Sequence, residues 1–406
     1  MKNAIVAQSG GPTAAINASL AGVIKTAFSQ DKIDKVYGSL YGIEGILKNQ
    51  ILDLTAQNLS EEDIDSLMRT PSSYLGSCRY KLPKDFSDTT IYDQIFSFFT
   101  QNNIGYFFYI GGNDSMDTVL KLNEYAMHIG FDIHIMGVPK TIDNDLDMTD
   151  HTPGYGSAAK YIATTVKEIA IDSDVYDLDS VTIIEIMGRN AGWLAAASAL
   201  ARNESSLAPH LIYLPEVTFS CDKFLEDILT VHKKHKNVIV CVSEGIKTAD
   251  GQYVCESTAS GLTDIFGHKN LSGTAKFLEN LVRDKLKFKA RGVELNVLQR
   301  CAAHYLSKTD IEEAFAVGES AVVHAIAGES GKMMTYTRLS SSPYKIQISS
   351  TDIKNAANAE KVVPASFINA EGNDVTDSFL TYAKPLIMGE VSVKTKDGLP
   401  VHLVRP

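Results

Sequence analysis

Short, nearly continuous apolar runs punctuate this chain, and longer segments with apolar positions at helical spacing lie between them. The runs fall at Ala4–Ala7, Ile104–Ile110, Ile133–Val138, Val181–Met187, His210–Leu214 and Val238–Ser243, and they predict strands. The intervening segments Ala14–Phe28, Ser115–Ile129, Ser157–Ile171, Ala191–Ala201, Cys221–Lys233 and Leu271–Leu286 predict helices. Regular alternation of the two implies parallel sheets joined by crossover helices, an α/β architecture. Glycine-bearing turns sit at the strand ends, where sheets of this class present their ligand-binding loops. From about Thr335 the chain is richer in Ser, Thr, Lys and Asn and its periodicity weakens. This stretch is expected to pack across the domains, because Pro385–Gly389 is too apolar for a loose tail.

Composition narrows the classes. The 406 residues allow one large domain or two to three ordinary ones, and 44% hydrophobic against 21% charged residues rules out a disordered chain. A formal net charge of −11 argues against general nucleic-acid binding, so anionic ligands would need a few local cations or Mg²⁺. The five cysteines are scattered, odd in number and without a CxxC pair, which suits reduced cytosolic thiols and neither a disulfide frame nor a zinc site. No signal peptide is expected ahead of the first strand, which begins near Asn3, and no apolar run approaches the ~20 residues of a membrane span.

Four segments carry candidate chemistry, and each has a plainer structural use. Ser9-Gly-Gly-Pro-Thr-Ala-Ala-Ile-Asn17 joins the first strand to the first helix. Paired glycines let backbone N–H groups approach a phosphate at a helix start, though they also make an ordinary tight turn. Tyr109-Ile-Gly-Gly-Asn-Asp-Ser-Met-Asp-Thr118 repeats the arrangement, with Ser115 as the expected helix cap and Asn113 and Asp114 at the mouth. Gly137-Val-Pro-Lys-Thr-Ile-Asp-Asn-Asp145 places a lysine and two carboxylates within six residues. A carboxylate there can take a proton from a hydroxyl, and a lysine can neutralise charge on phosphoryl oxygens. In Glu185-Ile-Met-Gly-Arg-Asn-Ala-Gly192, Gly188 permits close approach and Arg189 offers a planar fork, unless it only forms a surface ion pair. Arg79, Arg291 and Arg300 supply further cations, and Glu244-Gly245 closes another apolar strand.

Taken in order, the paired glycines Gly10 and Gly11, the GGNDS turn, the PKTIDND loop, the MGRNAGW turn, Ser243-Glu-Gly and Gln299-Arg300 resemble the phosphofructokinases over nearly the whole chain. The resemblance implies two similar Rossmann-like three-layer lobes with parallel-rich sheets. It implies a phosphoryl-donor lobe of residues 1–154 plus about 299–350, and a sugar-phosphate lobe of 155–298 plus about 351–406. The active site would lie between them. Asp143 then corresponds to the general base on the 1-hydroxyl of fructose 6-phosphate, with Thr141 and Asp145 as loop partners and Asp145 on the Mg²⁺ side. Met187, Gly188 and Arg189 correspond to the sugar-phosphate loop, with Arg189 near the transferred group. Glu244 corresponds to the carboxylate on the sugar hydroxyls and Arg300 to a ligand of the 6-phosphate. Arg291 would be lent across a subunit interface, which implies a homodimer or homotetramer with shared sites. Gly11 and Arg79 correspond to the donor side.

Two positions point to pyrophosphate as the donor. ATP-using members resemble GGDGS and PGTIDND, whereas this chain has Asp114 and Lys140 in place of the two glycines. Asp114 would crowd and repel the α-phosphate of ATP, and Lys140 would serve the phosphoryl groups. Thr118 falls where ATP users tend to have a glycine that makes room for adenine. Three departures accompany this. Asn113 replaces a magnesium-associated aspartate, so the metal would rely on Asp143, Asp145 and the substrate. Val297 and Ser180 replace a phosphate-binding histidine and a cross-subunit arginine, so lysines or tyrosines are expected to complete the sugar-phosphate pocket. The implied activity is reversible, Mg²⁺-dependent phosphoryl transfer from pyrophosphate to O1 of fructose 6-phosphate, in the cytoplasm, with no nucleic acid or membrane partner. An ATP-dependent kinase, a kinase of another sugar phosphate such as sedoheptulose 7-phosphate, and a non-catalytic regulatory subunit remain as alternatives.

Overall fold

The structure is a computed structural model that describes residues 1–257 and 273–405. Eleven strands make its two main sheets. Strands β1 (Lys2–Gln8), β2 (Ile33–Ser39), β3 (Ile51–Asp53), β4 (Ile104–Gly111) and β5 (His134–Pro139) come first in the chain. Strands β6 (Ser180–Ile186), β7 (Leu211–Tyr213), β8 (Asn237–Ser243) and β9 (Lys289–Glu294) follow, then β10 (Lys332–Ser341) and β11 (Tyr344–Asp352). The first sheet has the order β11-β10-β5-β4-β1-β2-β3 and the second β7-β8-β6-β9. The second is parallel throughout, and the first is parallel except at its two margins, β2–β3 and β10–β11.

Helices cover both faces of each sheet. Those of the first half are α1 (Ile16–Phe28), α2 (Ile43–Leu47), α3 (Glu61–Met68), α4 (Thr90–Gln101), α5 (Asn113–Ile129) and α6 (Tyr155–Ser173). The rest are α7 (Trp193–Ala197), α8 (Cys221–His232), α9 (Thr274–Leu286), α10 (Leu298–Cys301), α11 (Lys308–Ile326), α12 (Ile353–Ala356) and α13 (Asp377–Ala383). The alternation of strand side chains makes these layers. Ala4 and Val6 of β1 join a core with residues of α1, α3 and α11, while Ile5 and Ala7 face the opposite way, toward α2, α4 and α5. In the second sheet Ile184 and Ile186 pack on α6 and α7, and Val181 and Ile183 pack on α8 and α9.

All six expected strands form. The expected helix 191–201 is instead the short α7 followed by a 3₁₀ turn, Ser198–Ala201. Of the expected helix 271–286, residues 271 and 272 lie outside the described residues and the remainder is α9. The stretch after Thr335 divides between the two cores. The hairpin β10–β11 extends the first sheet, while Val363, Val375, Phe379, Ala383 and Leu386 bury into the second sheet's core.

Helix α11 lay outside the sequence expectations, and its contact with α1 explains why. The two backbones approach so closely that a Cβ on Gly22 would fall 2.1 Å from the Phe315 carbonyl, and one on Gly318 2.1 Å from that of Ser19. The buried face of α11 mixes Ala314, Gly318, Ala321 and Ala325 with Ile311, Val317 and Val322, a weaker apolar stripe than the one that marks a helix in sequence. Gly318→Ala is therefore expected to force the helices apart and to destabilise the fold by roughly 1–3 kcal/mol, the usual range for overpacking. A urea denaturation series checks this; an unchanged midpoint would show that the pair relaxes freely.

Candidate active site

Ligand loops in parallel sheets gather where neighbouring strands send their connections to opposite sides. The first sheet has that point between β1 and β4, the second between β6 and β8. Strand register levels the loops. Gln8 pairs with Ile110, Gly111 with Pro139, and Ile186 with Ser243, so all five strands end near one cleft. The cleft has a volume of about 450 Å³.

Two helices open onto it without side-chain caps. The residues preceding α1 and α5 are Ala15 and Gly112, which have no side chain able to cap; at α1 the Ala15 N–H donates to Thr13 Oγ1 at 3.2 Å, one residue before the helix. By contrast, α3, α8 and α11 are capped by Ser60, Ser220 and Ser307. Uncapped N–H groups at the positive end of a helix dipole suit an anion. The expected capping role of Ser115 is thus corrected. Ser115 lies inside the first turn of α5, and its hydroxyl bonds to that of Ser9, tying the two glycine turns together.

The loop after β5 forms the floor. Thr141 accepts the Asp143 N–H through Oγ1 at 3.1 Å, and the same hydroxyl lies 3.2 Å from Asp143 Oδ2. Thr152 holds the Thr141 carbonyl at 2.7 Å. Asn144 takes a left-handed conformation, φ 55°, and its buried amide donates to Tyr382 at 2.8 Å. That kink lets Asp143 and Asp145 face the cleft from either side of a buried residue. Burial pushes the Asp143 carboxyl above its ordinary range, opposed by the Thr141 hydroxyl and the Lys140 and Arg189 charges. Asp145 is raised too, by burial and then by Asp143 and Glu360.

Lys140 is almost wholly enclosed, and burial lowers its pKa to about 8. Its ammonium donates to the carbonyls of Gly11 at 2.6 Å and Ser9 at 3.0 Å. The lysine therefore locks the first glycine turn, which bends at Gly10 with φ 75°. In this structure its protons rest on backbone oxygens, and a phosphoryl group would compete with them.

The second sheet supplies the opposite wall. Gln299 accepts the Met187 N–H at 3.3 Å, and the Ser243 hydroxyl donates to the Gly188 carbonyl, so the 187–189 loop is fixed from two sides. The Glu244 carboxyl is pushed up to about 8, by burial first and then by Asp143 and Glu185.

Gly11, Arg79, Asn113, Asp114, Lys140, Thr141, Asp143, Asp145, Met187, Arg189, Glu244 and Arg300 all line the cleft. Gly188 lies just behind the lining, and Asp114 is exposed in the first turn of α5. Arg291 stays outside, exposed on β9 with Asp172 at 3.9 Å. Lys140 is the one lysine in the lining and no tyrosine joins it, so the lysines or tyrosines expected around the sugar phosphate are not among these residues. Sequence reasoning missed Asn190, Asn358, Ala359 and Glu360, which complete the rim. Nothing local marks the last three. They reach the cleft because Glu360 bridges Leu146 and the Lys361 N–H donates to the Asp145 carbonyl at 2.7 Å.

Among the described residues no three His, Cys, Asp or Glu side chains converge into a ready-made cation cage. Asn113 still suits a hard cation. Its Nδ2 donates to Asp145 at 3.3 Å, while its Oδ1 is buried without a hydrogen-bond partner. An amide oxygen beside a carboxylate, completed by phosphate oxygens, is a set such cations accept.

Arg300 tests the allocation of the two sides. Its guanidinium comes within 3.5 Å of the position a Cβ on Gly11 would occupy. If it serves the sugar phosphate uniformly in ground and transition states, Arg300→Ala raises the sugar KM more than it lowers kcat. A larger rise in the donor KM would move Arg300 to the donor side.

Known proteins agree with this geometry. The sequence model of the phosphofructokinase family matches residues 3–325. A Methylococcus capsulatus protein named pyrophosphate–fructose 6-phosphate 1-phosphotransferase is 42% identical over 405 residues, covering 99% of this chain and 95% of that protein. A sulfofructose kinase of Alkalicoccus urumqiensis is 34% identical, over 89% of this chain and 91% of its own. The crystal structure of a pyrophosphate-dependent phosphofructokinase from Nitrosospira multiformis superposes with a TM-score of 0.89 at 39% identity, covering 99% of this chain and 96% of that one. By fold, by the order of its cleft loops and by these likenesses, this chain belongs to the phosphofructokinase family.

Proposed function

We propose that this chain catalyses reversible phosphoryl transfer from pyrophosphate to O1 of fructose 6-phosphate, giving fructose 1,6-bisphosphate and phosphate. The observation that carries this reading is that Asp114 and Lys140 both line the cleft. The names of the relatives at about 40% identity point the same way.

Each residue has a defined part. Gly11, Arg79 and the open N–H groups of α1 and α5 receive pyrophosphate. Met187, Gly188, Glu244 and Arg300 hold the sugar phosphate, and Arg291 is lent to a partner subunit in a homodimer or homotetramer. Asp143 takes the proton of the 1-hydroxyl; its lifted carboxyl makes it a stronger base once ionised. Lys140 and Arg189 face the transferring oxygens and offset their charge. Asp145 and Asn113 would hold Mg²⁺. When bound, the ion neutralises charge on the phosphate oxygens.

The donor lobe comprises residues 1–154 with about 299–350, and the sugar lobe 155–298 with about 351–406. The cytoplasm is the compartment proposed, in keeping with five cysteines that form no disulfide. Among the described residues no helix is long and apolar enough to cross a membrane.

The deciding experiment measures turnover with pyrophosphate and with ATP, using fructose 6-phosphate as acceptor. Pyrophosphate should support the reaction and ATP should not; preference for ATP would overturn the reading. Sedoheptulose 7-phosphate and 6-deoxy-6-sulfofructose, assayed alongside, rank the acceptors.

A further inference from the structure

One carboxylate of the cleft has no part in the roles above. Glu360 follows α12 and lies beyond residues 3–325, the span matched by the family. Its mounting is firm. It bridges Leu146, and the next residue donates its N–H to the Asp145 carbonyl at 2.7 Å. The Lys361 side chain anchors the segment further, donating to the carbonyls of Thr149 at 2.9 Å and Asp150 at 2.8 Å. Trp193 completes the clamp by donating Nε1–H to the Lys361 carbonyl at 2.9 Å. These contacts fix the backbone at Glu360 on the rim of the cleft.

The cleft around it needs negative charge for a cation. Asn113 offers a buried, unpartnered oxygen but is neutral. Glu360 stands on the same lining as Asn113 and Asp145, and its backbone bridge to Leu146 sets it beside the Asp145 loop. Among the described residues these carboxylates do not close into a cage, so a cation here would also need phosphate oxygens.

We propose that Glu360 is a positioning residue for the divalent cation of this site, supplying from the C-terminal segment the charge that Asn113 lacks. This inference rests on the phosphoryl-transfer reading above.

The test uses Mn²⁺ as the probe. Binding of Mn²⁺ in the presence of saturating inorganic phosphate is titrated by electron paramagnetic resonance in wild type, Glu360→Gln, Asn113→Asp and the double variant of the full chain. Glu360→Gln should weaken Mn²⁺ binding about tenfold, the low end for loss of a supporting partner at a metal site. The Mg²⁺ concentration for half-maximal turnover should rise in parallel, while the KM for fructose 6-phosphate stays near wild type. Adding Asn113→Asp should bring Mn²⁺ affinity back toward the wild-type value. Unaltered Mn²⁺ affinity in Glu360→Gln, no rescue in the double variant, or no Mn²⁺ binding by wild type would each overturn the inference. The donor reading fails separately: wild type would then bind Mn²⁺ yet show no turnover with pyrophosphate.

Discussion

Replacing Asp143 with Ser or Ala is expected to lower kcat by roughly two to four orders of magnitude, the usual cost of losing a positioned acid or base. Substrate KM values should change far less, since the cleft's anion contacts lie on other residues. The structure sharpens this expectation. Asp143 is held by Thr141 on one side and flanked by the cations Lys140 and Arg189, so its carboxylate is both oriented and kept ionisable despite burial. Removing it also removes a negative charge that raises the proton affinity of Asp145, Glu244 and Lys140. The pH profile of the residual activity should therefore shift as well as fall. A variant that keeps near-normal kcat would remove Asp143 from the proton transfer.

Lys140→Gly should cut kcat with pyrophosphate by roughly 10²–10³, the scale for losing one preorganised charge aimed at the transition state. Here the loss has two components. The ammonium near the phosphoryl groups disappears, and so do its bonds to the Gly11 and Ser9 carbonyls, which shape the donor turn. Thermal unfolding separates the two: an intact midpoint with lost turnover isolates the electrostatic part. Asp114→Gly should act differently, because Asp114 is exposed on the first turn of α5 and the substitution keeps the backbone carbonyl that Thr118 bonds to. It should admit ATP and give weak ATP-dependent turnover, while reducing pyrophosphate activity less than Lys140→Gly does. The double variant should be the best ATP user of the three. Thr118 is expected to limit adenine still; it is buried one turn further along α5 with its hydroxyl on the Asp114 carbonyl at 3.1 Å. The measurement is kcat/KM for both donors in all three variants. Undetectable ATP use by a folded Asp114→Gly protein would end the exclusion argument at that residue.

Much of the site was legible because its parts are local. A strand, a glycine turn and a helix start fall within about ten residues, and backbone geometry alone aims such a turn at a ligand. The Gly10–Gly11 turn, the 112–115 turn, the Lys140–Asp145 loop and the 187–189 loop could thus be found one at a time. Spacing of apolar runs likewise marked the six expected strands, five interior to their sheets and β7 at an edge, since each is buried on both faces.

Tertiary structure decided what depends on pieces far apart in sequence. Ser115 reads as a cap until the Ser9 hydroxyl is seen against it. Lys140 reads as a free cation until the carbonyls of Ser9 and Gly11 close around it. Helix α11 hides because small residues dilute its apolar face, and the use of Gly318 shows only in its close approach to α1. Tyr382 and Glu360 belong to a polar, weakly periodic stretch, and only chain packing brings them to the Asp143–Asp145 loop. The sequence by itself determined the α/β class and the chemistry offered at each strand end. The folded chain decided which of those groups share one cleft, because burial, register and proximity between distant segments are not encoded in any local spacing.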